Sequence, residues 1–160
     1  MDEVVLDTSV RVKSIFKPHK SLQALDYSRE LETHEKCSTI VRLIEEHDVA
    51  VYIPSVCIIE AASVTKRFGG RAMAIKVSKG LIRSYGLVGE DALFDIAWDV
   101  AVDTGCSGFD SYFIALARLK DAALITDDLG MHRHAQDSGA DSILVRAVDI
   151  DSLRSIFSAG

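Results

Sequence analysis

Apolar positions along this chain fall into short continuous runs separated by longer stretches with helical spacing. Val4, Val5 and Leu6 form a run that ends at Asp7-Thr8-Ser9, the pattern of a buried strand followed by a polar turn. Residues 21–48 read as one or two helices on Leu22, Leu25, Leu31, Ile40, Leu43 and Ile44, with the charged SRELETHEK segment solvated. Residues 49–53 (VAVYI) are β-branched and aromatic and are stopped by Pro54, giving a second strand. Ser55 then caps a helix, SVCIIEAASVTKR, which Gly69-Gly70 breaks. A basic helix follows over 71–84 on Ala72, Ile75, Leu81 and Ile82. In residues 90–104, Asp91, Asp95, Asp99 and Asp103 recur every four positions and define the wet stripe of a helix. Asp110 opens the next helix, on which Phe113, Leu116 and Ala117 share a face. A strand over 122–125 leads to Thr126-Asp127-Asp128, and a short helix over 129–138 ends at Gly139. A last strand over 142–145 and an amphipathic helix over 150–157 close the chain. Strands alternating with helices predict an α/β domain with a mostly parallel sheet.

At 160 residues and 48% hydrophobic, the chain suits one domain spanning 1–160 with a sizeable core. It contains no Pro/Gly/Ser-rich linker, no repeat and no apolar stretch long enough to span a membrane. The acidic start and short first apolar run do not resemble a signal peptide. Cys37, Cys57 and Cys106 form no CxxC and cannot all pair, which points to a cytoplasmic protein with free thiols.

The net charge of −6 speaks against nucleic-acid binding by bulk electrostatics, but the charge is segregated. Between Ala61 and Gly89 there is no acid, while Lys66, Arg67, Arg71, Lys76, Lys79 and Arg83 all fall there. A second acid-free stretch, from Thr8 to Leu25, carries Arg11, Lys13, Lys17 and Lys20. One face can therefore be basic although the total is acidic.

Parallel α/β sheets bind ligands beyond the carboxyl ends of their strands. Asp7 and the Asp127-Asp128 pair lie at such ends. Glu60 sits among Ile58, Ile59, Ala61 and Ala62 on an inward stripe, where an unpaired carboxylate is costly. Three of the acids also have a structural reading: Asp7 as a helix cap or Asx-turn residue, Glu60 as a salt-bridge partner of Lys66 or of a residue elsewhere, Asp110 as an N-cap. Together, four carboxylates without matching cations could not all ionise. A hard divalent cation resolves this, and oxygen-only ligands select Mg²⁺ or Mn²⁺ over zinc. Such sites hydrolyse phosphodiesters. Asp103, the acid nearest Asp110 in sequence, is a further candidate for the acidic site, and His132 and His134 lack a third ligand nearby and read as surface residues.

VVLDTS, IPSVCIIEAA, FDSYFIALA and LITDD resemble, in that order, the four signature segments of PIN-domain ribonucleases. The resemblance implies a single-domain three-layer α/β/α sandwich and a metal-dependent endoribonuclease whose acids are Asp7, Glu60, Asp110 and Asp128. The family's last segment reads Thr, any residue, then Asp or Asn, which selects Asp128 over Asp127. Ser9 and Thr126 match polar positions that orient the carboxylates. Many single-domain members are VapC-type toxins held by a small antitoxin, and they often dimerise. An RNA-processing nuclease and a catalytically silent RNA-binding or scaffold module are the alternative roles. One departure is the basic VRVKSIFKPHK after the first segment, where relatives continue apolar. A haloacid-dehalogenase loop would need an aspartate where Ser9 stands, and no P-loop or GxGxxG occurs. An RNA substrate gives Lys66, Arg67, Arg71, Lys76 and Lys79 a role on the phosphate backbone. The alternative is that these cations meet the Asp91–Asp103 stripe across a dimer or antitoxin interface.

Overall fold

The structure is a computed structural model and describes residues 1–158. Five strands form a single sheet in the order β3-β2-β1-β4-β5, with every neighbouring pair parallel. In chain order they are β1 (Glu3–Leu6), β2 (Ala50–Pro54), β3 (Gly86–Val88), β4 (Ala123–Thr126) and β5 (Ser142–Leu144). The helices are α1 (Thr8–Ile15), α2 (Ala24–Glu46), α3 (Val56–Ser84), α4 (Glu90–Thr104), α5 (Gly108–Lys120), α6 (Leu129–Asp137) and α7 (Ile150–Ser158).

The central strands are covered on both faces, which is why Val4-Val5-Leu6 and Leu124-Ile125 are uninterrupted apolar runs and fully buried. From β1 the chain steps outward to β2 and β3, then returns to the other side of β1 for β4 and β5. Right-handed crossovers in the two directions put α1–α3 on one face and α4–α6 on the other. The packing of α1 on α2 and α3, and of α5 on α4 and α6, agrees with this, and α7 joins the first layer against α2. The result is the three-layer α/β/α sandwich expected from the sequence.

Four elements differ from the sequence-based expectation. The polar turn after β1 is one residue long, because α1 begins at Thr8 and buries Thr8, Val10 and Val12. Its VRVK alternation has the period of a strand, which hid the helix. The second difference is β3, whose three residues are too few to register as a pattern. At Gly86 a Cβ would lie 2.6 Å from Tyr52 Cδ1 on the neighbouring strand. Gly86→Ala is therefore expected to lower stability by about 1–3 kcal/mol through overpacking, measurable by urea denaturation. The third is the start of α3. Ser55 occupies the N-cap position without a side-chain cap, and the Val56 N–H donates instead to the Glu90 carboxylate from the start of α4. The last is α5, which opens at Gly108 with Ser107 as its N-cap, so Asp110 lies inside the first turn.

The break expected at Gly69-Gly70 is present within α3, where Gly70 adopts φ 77° and ψ 179° between two helical halves. On α4, Asp91, Asp95, Asp99 and Asp103 are exposed as expected, but Phe94, Trp98 and Val102 are exposed beside them. No helix among the described residues is long and apolar enough to cross a membrane.

Candidate active site

Because β1 and β4 are neighbours whose connections leave in opposite directions, a crevice opens beyond their carboxyl ends. Asp7 follows β1 there, with its N–H bonded to the Ile125 carbonyl at 3.0 Å. It stands at the N-cap position of α1 but caps nothing with its side chain. The carboxylate instead accepts hydrogen bonds from Ser9 Oγ and, at 2.8 Å, from Thr126 Oγ1. Burial pushes the Asp7 carboxyl up to about 6. The Ser9 and Thr126 hydroxyls pull it down, and the nearby Glu60 charge raises it further.

Glu60 lies in the second turn of α3 and accepts from Thr8 Oγ1 at 2.7 Å. Thr8 also meets Cys57 Sγ at 3.1 Å, and burial pushes that thiol up to about 12, leaving it inert. Among the described residues Glu60 forms no ion pair, with Lys66 or otherwise.

Asp110 donates its backbone N–H to the Ser107 Oγ at 3.1 Å, in the first turn of α5. Burial raises its carboxyl above the usual range against a lowering bond from Ser107, and the negative charge of Asp128 adds to the rise. Asp128 is the N-cap of α6: its Oδ1 accepts from the Met131 N–H at 2.9 Å, while its own N–H donates to Thr126 Oγ1 at 3.0 Å. Thr126 thus ties the Asp7 and Asp128 segments together.

Asp127 is turned away from these acids. It is 2% exposed and paired with Lys13 at 2.6 Å and with the Arg146 guanidinium, whose Nε and second terminal nitrogen lie at 2.9 and 2.8 Å. Burial opposes its ionisation, but these bonds and charges hold its carboxyl below the ordinary value. Lys13 also bonds Glu30 at 2.8 Å, so Asp127, Lys13, Glu30 and Arg146 form a charge-balanced cluster that reaches the groove wall through Lys13 and Glu30.

Asp7, Glu60, Asp110 and Asp128 all line one open groove of about 860 Å³, together with Thr8 and Ser9. Among the described residues, no three acid, histidine or cysteine side chains stand close enough to form a ready-made metal cage. Asp7, Glu60 and Asp128 are each held by their own hydrogen bonds. The donor set is carboxylate and hydroxyl oxygen throughout, which fits Mg²⁺ or Mn²⁺.

The groove's cations are Lys13, Lys17 and Arg29, with His19 and His34. From α3 the lining residues are Glu60, Val64 and Phe68. Lys66, Arg67, Arg71, Lys76 and Lys79 are exposed on the same helix but do not line the groove, nor does Asp103. His132 bonds Ser142 Oγ at 2.9 Å, and His134 is half-buried with its Nδ1 unbonded, so neither is a plain surface residue. Thr8, Lys13, Glu30 and Arg146 were not evident as site residues. The contact between Lys13 and Asp127 spans 114 positions, and no local pattern encodes it.

The PIN domain family model matches residues 4–137, and the chain belongs to that family of nuclease-type proteins, which typically use divalent metals. A crystal structure of PAE2754 from Pyrobaculum aerophilum is similar in fold, with a TM-score of 0.58 over 99% of this chain and 91% of that one at 18% identity. No curated protein matches the chain.

Proposed function

We propose that the chain is a divalent-metal-dependent endoribonuclease in which Asp7, Glu60, Asp110 and Asp128 hold Mg²⁺ or Mn²⁺. The observation carrying this reading is that all four carboxylates line one groove at the point where the sheet's connections reverse. An ion bound there would neutralise a phosphodiester and lower the pKa of an attacking water. The chain's own groups prepare the acids for that role. Ser9 and Thr126 fix Asp7, Thr8 fixes Glu60, and the start of α6 fixes one oxygen of Asp128 while leaving the other free. Lys13 and Arg146 keep Asp127 out of the set.

The test is cleavage of a labelled single-stranded RNA in Mg²⁺ or Mn²⁺ and in a chelator. Internal cuts that need the cation support the reading. Metal-independent cutting, or none under any condition, would overturn it. Thr8→Val removes the donor to Glu60 and is expected to lower kcat roughly tenfold with little change in melting temperature. Equal kcat in the variant would show that Thr8 does not position Glu60.

Within that reading the chain is the toxin of a toxin–antitoxin pair in the cytoplasm, supported by its resemblance to PIN-domain ribonucleases, many of whose single-domain members are VapC-type toxins. Growth arrest on expression, relieved by Asp7→Asn and by a neighbouring small gene, is the expected result. Growth unaffected by the intact chain would favour an RNA-processing role.

A further inference from the structure

The groove that holds the four acids continues past them into a region of different chemistry. Its far end is lined by Phe16, Lys17, Pro18, His19, Leu22 and Arg29, and α3 contributes Val64 and Phe68. Phe16 and Phe68 face each other with ring centroids 5.9 Å apart and planes tilted by 35°. Phe68 is 68% exposed, a large apolar ring left open at the mouth of a charged groove. The pair is built by backbone as well as by side chains. A Cβ on Gly69 would lie 3.2 Å from Phe16 Cε1, a tight contact, so the glycine gives the ring room against α3.

From this arrangement we infer that the Phe16–Phe68 pair is a nucleobase-stacking platform for single-stranded RNA, seating one base beside the phosphodiester held at the acids. The inference rests on the nuclease reading and adds how the substrate is positioned. Charge supports it. Beyond Asp7, Glu60, Asp110 and Asp128, the groove's further acids Glu30 and Asp26 are paired with Lys13 and Arg29, whereas Lys17 forms no ion pair among the described residues and is left as a cation for a phosphate. A strand with its scissile phosphate at the acidic end brings the neighbouring base over the aromatic rings and the next phosphate towards Lys17. Aromatic stacking tolerates any base, and cations along the groove follow the backbone. A duplex would keep its bases stacked on one another and unavailable, which makes the platform selective for single strands.

The test uses the full chain and a series of short single-stranded oligoribonucleotides carrying one abasic sugar at successive positions. Affinity is measured in chelator to prevent turnover. The parent is expected to lose roughly five- to hundredfold in affinity at one position, the range carried by a stacked base. Phe68→Ala should bind the intact strand more weakly by a similar factor and lose that positional sensitivity, and Phe68→Tyr should keep it. A flat abasic profile in the parent, or an unchanged profile in Phe68→Ala, overturns the inference. So does a Phe68→Ala variant that binds RNA normally but changes oligomeric mass, which would assign the rings to a protein surface. The outcome is separable from the nuclease reading. Metal-dependent cutting with a flat profile removes the platform alone, and a positional profile without cutting removes the enzyme alone.

Discussion

Asp7→Asn is expected to abolish metal-dependent cleavage and, in the metal-free protein at pH 8, to melt above the parent. The Asp7 carboxyl is raised from 3.8 to about 6 in the folded chain, mainly by burial. Folded protein therefore keeps this proton to a higher pH than unfolded chain does. Ionisation inside the fold opposes folding, an effect absent below 3.8 and complete above about 6. The difference corresponds to about 3 kcal/mol at pH 8. Asparagine cannot ionise, yet its carbonyl oxygen still accepts from Ser9 and Thr126. A gain of about 6–12 °C in melting temperature follows for a domain of this size, shrinking to nothing near pH 4. Activity should fall about a thousandfold or more, since one charge that holds the cation is gone. A variant that melts below its parent at pH 8 would show that Asp7 serves the fold and not the chemistry.

The second large effect is expected behind the site. Arg146→Ala removes the guanidinium from a carboxylate that is 1% exposed, and leaves Lys13 as its sole cation. Breaking such a pair costs ~2–3 kcal/mol here, less than for a fully unpaired buried charge. The pH dependence has the opposite sign to that of Asp7. The Asp127 carboxyl is held below 3.8 in the fold, so its stabilisation is present above that value and is lost as pH falls through the folded one. Urea denaturation should therefore show the parent ahead at neutral pH and the two proteins converging in acid. Equal stability at neutral pH would mean that Lys13 satisfies Asp127 alone.

The parts of this molecule legible in the sequence are those written in local patterns. Val4-Val5-Leu6 and the run over 122–125 read as buried parallel strands because both sheet faces are covered, and their exits placed Asp7 and Asp128; the second strand lies one residue later, at Ala123–Thr126. Glu60 stood out because a carboxylate on an apolar stripe needs a reason. Asp110 opens an apolar helical run in the sequence, and of its two readings there, helix cap and site acid, the cap falls to another residue. Ser107 does the capping, which leaves the Asp110 side chain to face the groove. The missed elements were short or misleading in period: three residues in β3, and a helix α1 whose first half alternates like a strand. Long-range partnerships left no trace. Lys13 with Asp127, Arg146 with Asp127 and Phe16 with Phe68 meet only because the sheet order brings the ends of β1 and β4 together and α1 packs on α3.

Calorimetric titration with Mn²⁺ probes the central claim, that Asp7, Glu60, Asp110 and Asp128 hold a divalent cation in one groove. The parent is expected to bind Mn²⁺. Asp7→Asn and Asp110→Asn should each abolish or sharply weaken that binding, while Asp127→Asn, whose carboxylate is committed to Lys13 and Arg146, should retain it. No binding by the parent, or binding that survives Asp7→Asn but is lost in Asp127→Asn, would contradict the account.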